Sequence, residues 1–138
     1  MTWPELRRDI VIVACAISAG IHAALVPAHL RESAAAGGGF IAATALLAVL
    51  IVALTHRPGG DTALAAAALV FAGLLVSYAL AVTSGVPFLH PEPERVDALA
   101  LATKAVEVVG LAVALDLIRS SWPVRLPFSL TRTAGVRT

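Results

Sequence analysis

Charge is scarce in this chain: only 14% of its 138 residues are Asp, Glu, Lys or Arg, while 59% are hydrophobic. A water-soluble domain carries about 25% charged residues and roughly half apolar ones, so the apolar surplus exceeds what one small core could hide. Cysteine is nearly absent, with Cys15 alone, which excludes a disulfide-built scaffold. The apolar excess also excludes a disordered chain. A net charge of +1 offers neither the basic field of a nucleic-acid binder nor a match for acidic substrates. Common catalytic signatures are missing too: there is no HExxH, no CxxC, no nucleotide-binding glycine loop followed by lysine, and no GxSxG turn. An integral membrane protein is the class that survives these exclusions.

What the chain has instead is long apolar runs. Residues 10–30, 40–55, 62–84 and 98–118 approach the length of about 20 that a helix needs to span the hydrocarbon core. Runs such as ALAAAALVFAGLLV are apolar on every face, which argues against β-barrel alternation. The connections RESAAAGGG, HRPGGD and GVPFLHPEPERVD are short and rich in turn residues, and Gly37, Gly38 and Gly39 read as a flexible turn. The expected fold is therefore all-α, an integral membrane four-helix antiparallel bundle forming a single domain over 1–138 with a basic cytoplasmic tail at 119–138.

Basic residues set the expected orientation. Arg7, Arg8, Arg57, Arg119, Arg125, Arg132 and Arg137 flank one side and only Arg31 and Arg95 the other, so both termini are expected in the cytoplasm of a bacterial inner membrane. The first span is expected to be retained, because the apolar run before Cys15 is shorter than the roughly 7 residues of a signal h-region. Abundant alanine, with Gly20, Gly73 and Gly110 inside the spans, suits close approach of helix backbones, although alanine-rich coding bias would look the same. Trp122 and Phe128 in the basic tail suit an anionic membrane surface.

Ionisable groups inside the spans are the informative residues, since each costs about 2.5–3.5 kcal/mol at a helix centre and must find a partner or a water-filled cavity. They are His22, Lys104, Glu107 and Asp116, accompanied by Tyr78 and several hydroxyls. With a rise of about 1.5 Å per residue, His22 and Glu107 both fall near the midplane and can meet. Lys104 stands one turn from Glu107 on the same face, where it neutralises the carboxylate in preference to snorkelling. Thr44, Ser77 and Tyr78 share that depth, so every helix contributes a polar group to one layer. His29 shares a face with His22 but lies about 10 Å further along, too far to chelate one ion with it, and Pro27 between them offers a kink by freeing the Ala23 carbonyl.

Glu32, His90, Glu92, Glu94 and Asp97 add imidazole and carboxylate near the outer connections, the ligand set of zinc, iron, nickel or copper sites. Plainer roles compete: His22 with Glu107 as a pair that pins two helices, His29 and His90 as solvated interface histidines, and Asp116 with Arg119 as a structural ion pair. A bis-histidine haem needs two imidazoles at matching depth, and only His22 is deep, so haem is the less favoured cofactor and would need His29 with His90, the outer loop folding inward.

The third connection and the fourth span carry a resemblance. His22, Pro27, His29 and Glu32, followed by Gly85, Pro87, Phe88, Pro91, Glu92, Asp97, Thr103 and Glu107, resemble the pattern of a group of small four-span membrane proteins from high-GC bacteria. The similarity covers most of residues 18–110 and departs at Tyr78, where that group carries Trp or Arg. It implies a four-helix bundle with a shared polar site that includes Thr103, and it names no reaction.

Two functions of different classes follow. The first is binding of a transition-metal ion or small polar ligand in the extracytoplasmic half, with His22, His29, His90 and Glu107 as metal ligands and Glu32, Tyr78, Asp97, Thr103 and Lys104 around them. The second is a structural accessory subunit of a larger membrane complex or homo-oligomer, its buried polar groups acting as helix glue. An intramembrane enzyme has acid and base groups in Glu107, Lys104 and His22 but no recognisable nucleophile or cofactor motif.

Overall fold

The computed structural model describes residues 2–56, 60–85, 93 and 95–121. Among them the regular structure is entirely helical: α1 at Trp3–Glu32, α2 at Ala34–His56, α3 at Asp61–Thr83 and α4 at Ala98–Ser121. Each of the four is long and apolar enough to cross a membrane. Residues 57–59, 86–92, 94 and 122–138, and with them His90, Glu92, Glu94 and most of the basic tail, lie outside the described residues.

Local chemistry explains where the helices begin. The Glu5 amide donates to Thr2 Oγ1 at 3.4 Å while the Thr2 amide donates to Glu5 Oε2 at 2.5 Å. This capping box, with Pro4 in the first turn, starts α1 seven residues before the apolar run that hydropathy marks. The helix then continues through Pro27, so no unwound turn separates His22 from His29. At the other end Ser33 serves two helices. Its amide donates to the His29 carbonyl at 2.9 Å, closing α1, and its hydroxyl accepts from the Ala36 amide at 2.9 Å, opening α2.

The three glycines expected as a flexible turn are instead inside α2. Gly37 is needed there, because a Cβ at this position would collide with the side chain and backbone of Leu30 across the one-residue corner. Asp97 opens α4 by accepting from the Ala100 amide at 2.7 Å. Residues 119–121, expected in the tail, complete α4.

The helices pack in a ring: α1 against α2 and α4, and α3 against α4 and more sparingly against α2. One half of the bundle holds the apolar core, in which Val11, Cys15, Leu47, Leu54, Ala67, Phe71 and Ala114 are buried. Gly110 is the small residue on which this packing turns. A Cβ there would stand 2.6 Å from Phe71 Cε2 and 2.9 Å from Ala14 Cβ, whereas one at Gly20 or Gly73 would meet nothing within 4 Å.

At the same end Arg7 Nη1 reaches Asp116 Oδ2 at 2.7 Å. This cross-helix pair replaces the expected Asp116 with Arg119 bridge. The early start of α1 places Arg7 on a helical turn beside the end of α4, where its guanidinium reaches the carboxylate.

Gly110→Ala should therefore lower stability by about 1–3 kcal/mol through overpacking. Gly20→Ala should cause no loss. Thermal unfolding of both variants in detergent checks this, and similar melting points would contradict the close approach at Gly110.

Candidate functional site

The other half of the bundle is organised by a carboxylate. Glu107 on α4 is fully buried, and both of its oxygens are occupied as acceptors. Ser18 Oγ on α1 donates to Oε1 at 2.8 Å, and Lys104 Nζ, one turn away on α4, donates to Oε2 at 2.6 Å. The ammonium also lies 5.4 Å from the centroid of the Tyr78 ring on α3.

His22 does not bond Glu107 directly. Its Nδ1 lies 2.8 Å from the Ser18 carbonyl and 3.4 Å from Ser18 Oγ. A carbonyl only accepts, so Nδ1 carries a proton and donates it. Ser18 thus links His22 to Glu107 in a chain that runs from α1 to α4 and ends at Lys104. His29 repeats the arrangement one level further out, with Nδ1 donating to the Leu25 carbonyl at 3.1 Å. In both rings Nε2 is left as the second nitrogen, an acceptor when the imidazole is neutral.

Phe40 on α2 is set against both imidazoles. Its ring stacks on His29 at 3.8 Å between centroids and tilts against His22 at 5.3 Å. These groups border a cavity of about 370 Å³ at the end of the bundle opposite the Arg7–Asp116 pair. All four helices line it. Its polar groups are His22, His29, Ser77, Tyr78, Thr103 and Lys104, with Arg95 and Asp97 where α4 begins, and its walls include Leu25, Leu74 and Leu99. Thr103 spends its proton on the Leu99 carbonyl at 2.7 Å. Tyr78 differs from the rest, because its hydroxyl is buried and has no hydrogen-bond partner among the described residues.

Of the residues singled out from sequence, His22, His29, Tyr78, Asp97, Thr103 and Lys104 border the cavity, and Glu107 lies beside it as the buried partner of Lys104. Glu32 is exposed at the end of α1 and is not among the lining residues. His90 is outside the described residues. Among the described residues, no three His, Cys, Asp or Glu side chains come together as a metal-ion site. Thr44, expected in the polar layer, turns its hydroxyl back onto the Phe40 carbonyl at 2.8 Å.

Two contributors went unnoticed in the sequence. Ser18 carried a usable signal, lying four residues before His22 and so on the same helical face. Phe40 carried none, since an aromatic at the start of an apolar run reads as ordinary core.

No protein-family profile matches the chain, and neither the curated proteins nor the solved structures contain a match.

Glu107→Gln should destabilise the bundle by about 3–5 kcal/mol, because it leaves the Lys104 ammonium in a low-dielectric site without its counter-charge. Asp116→Asn should cost less than about 1 kcal/mol, since that carboxylate is largely exposed. Adding Lys104→Met to Glu107→Gln should restore part of the loss. Equal melting points for the two single variants would contradict the buried position of Glu107.

Proposed function

We propose that this chain is a multi-pass protein of a bacterial inner membrane, inserted as an antiparallel four-helix bundle with both termini in the cytoplasm. In this reading it binds a small polar ligand in the cavity, which opens in the extracytoplasmic half. The surface supports the membrane setting. Val49 is 65% exposed and Leu69 75% exposed, with Val13, Val52, Val76, Leu101 and Val108 also outward, while Glu107 and Ser18 are fully buried. That distribution suits a lipid solvent around a polar interior.

The observation that carries the binding reading is the cavity itself, about 370 Å³ of space lined by all four helices and bordered by His22, His29, Tyr78, Thr103 and Lys104. One turn beyond Glu107, Gly110 is closed in by Phe71 and Ala14, so the cavity has a floor. This favours a binding pocket over a through-going pore. Phe40 standing against both imidazoles favours an organic ligand over an ion shared by His22 and His29.

Protein purified in mild detergent should carry a bound small molecule, detectable by native mass spectrometry. Gly39 borders the cavity, and a Cβ added there meets nothing within 4 Å, so Gly39→Trp should fill the space and release the molecule without unfolding the bundle. The same bound mass increment in wild type and variant, or none in either, would overturn the reading. A stoichiometric metal in elemental analysis would replace the organic ligand with an ion.

Topology has its own check. Glu32→Cys should react with a membrane-impermeant thiol reagent in intact cells, and Thr2→Cys only after permeabilisation, while the buried native Cys15 stays silent. The opposite pattern would invert the orientation.

A further inference from the structure

We propose that the cavity is loaded from the side, through a slot between α2 and α3, and that its polar ligand is therefore a bilayer-dissolved amphiphile with an apolar body. The proposal rests on the cavity being a ligand site in a membrane-inserted bundle, and it adds the route and the chemical class.

The inner face of α2 changes character along its length. In the closed half Leu54, Leu50 and Leu47 belong to the core together with Ala67 and Phe71 of α3. Beyond Leu47 the same face continues as Ala43, Gly39 and Ala36, all of which border the cavity. Leucine gives way to alanine and glycine at the level where the cavity begins, so side-chain volume is missing from a stretch of about 10 Å along the helix.

The facing stretch of α3 does not supply that volume. In the antiparallel arrangement, equal counts of residues back from His56 and on from Asp61 set Ala43 opposite Leu74 and Ala36 opposite Ala81, and these α3 positions border the cavity as well. The two aromatic residues at this level are engaged elsewhere: Phe40 stacks on His29 of α1 at 3.8 Å between centroids, and the Tyr78 ring lies 5.4 Å from the Lys104 ammonium of α4. The seam between α2 and α3 is accordingly the most sparsely packed of the four in the ring. By contrast, Leu30 sits against Gly37 between α1 and α2, and Ser18 bonds Glu107 between α1 and α4.

Exposure locates the opening. Gly39 and Ser77 both border the cavity, and both are exposed. Ser77 stands six residues before the end of α3, which is about 9 Å down the helix. An opening at that depth lies on the flank of the bundle and not only at its end. Ile41 of α2 and Val76 and Leu80 of α3, close by in sequence, are exposed apolar residues, so in the proposed setting lipid chains meet the slot.

A molecule arriving by this route has to dissolve in hydrocarbon first, which disfavours a freely charged solute. Inside it meets two kinds of surface. Leu25, Leu74 and Leu99 suit an apolar body, while Lys104, which gives Glu107 one of its three ammonium protons, keeps donors for an acceptor group. An amphiphile satisfies both.

The test uses the full-length protein in phospholipid vesicles and two photoactivatable probes: a fatty alcohol with a diazirine on its chain, which resides in the bilayer, and a diazirine sulfonate that stays in the water on both sides. Irradiation followed by peptide mass spectrometry locates the adducts. The alcohol should label the outward Val49 and Leu69 and also the cavity residues Ala43 and Leu74, and excess decanol should remove the cavity adducts while sparing the outward ones. Ser77→Leu, which places a large side chain in the slot at an exposed position, should lose most of the cavity adducts and keep the wild-type melting point. The sulfonate should leave Ala43 and Leu74 unlabelled.

Cavity adducts from the sulfonate, or alcohol adducts in the cavity that persist in Ser77→Leu, would overturn lateral loading and leave the cavity as a ligand site. Alcohol adducts confined to outward residues would overturn it too, while the bound mass increment lost in Gly39→Trp reports on the ligand site independently.

Discussion

A carboxylate taken fully out of solvent is the constraint to which the rest of this bundle is fitted. Glu107 requires donors on both oxygens, and the chain supplies them from two directions: Lys104 from the same helix and Ser18 from α1. The second of these is the consequential one. It ties α1 to α4 at a fixed depth, and through the Ser18 carbonyl it also sets the orientation of His22. A single buried charge thereby specifies a helix pairing, an axial register and a histidine tautomer. Apolar contacts between helices in lipid would specify these only weakly, because lipid tails compete for them equally well.

The two ends of the bundle solve different problems. Toward the Arg7–Asp116 pair the helices close on small residues, and Phe71 takes the space that the missing side chain of Gly110 leaves. Toward Ser33 they part around the cavity. The one-residue corner at Ser33 holds α1 and α2 together at that end, with Gly37 admitting Leu30, so the cavity lies beside a rigid hairpin. Six of its polar groups, His22, His29, Ser77, Tyr78, Thr103 and Lys104, are held on helices, which limits the reorganisation that binding would require of them.

Much of the architecture was legible in one dimension. Four apolar runs, each with a helix's length and no alternation, announce four helices because hydropathy over some twenty residues is a local property of the chain. The Lys104 and Glu107 pair was legible for the same reason: three residues apart on a helix is a contact whatever the helix packs against. Helix boundaries were less so. The Thr2 and Glu5 capping box extends α1 into charged sequence that hydropathy discards, and the glycines after Ser33 continue a helix that composition alone assigns to a turn. Arg119 lost its place beside Asp116 because Arg7, remote in sequence, reaches the same carboxylate from a neighbouring helix.

What the sequence by itself determined is the solvent the chain is suited to, the number of helices and the set of ionisable residues that had to be reconciled inside them. All of these depend on composition and on spacings within one turn or one run. Only the tertiary structure decided which of those residues meet: Ser18 between His22 and Glu107, Phe40 against both imidazoles, Tyr78 beside Lys104 with its hydroxyl enclosed, and Glu32 left outside. Such contacts join residues on separate helices. Their partners are chosen by the rotation and depth of each helix against its neighbours, quantities that no local spacing encodes and that packing around a buried charge fixes.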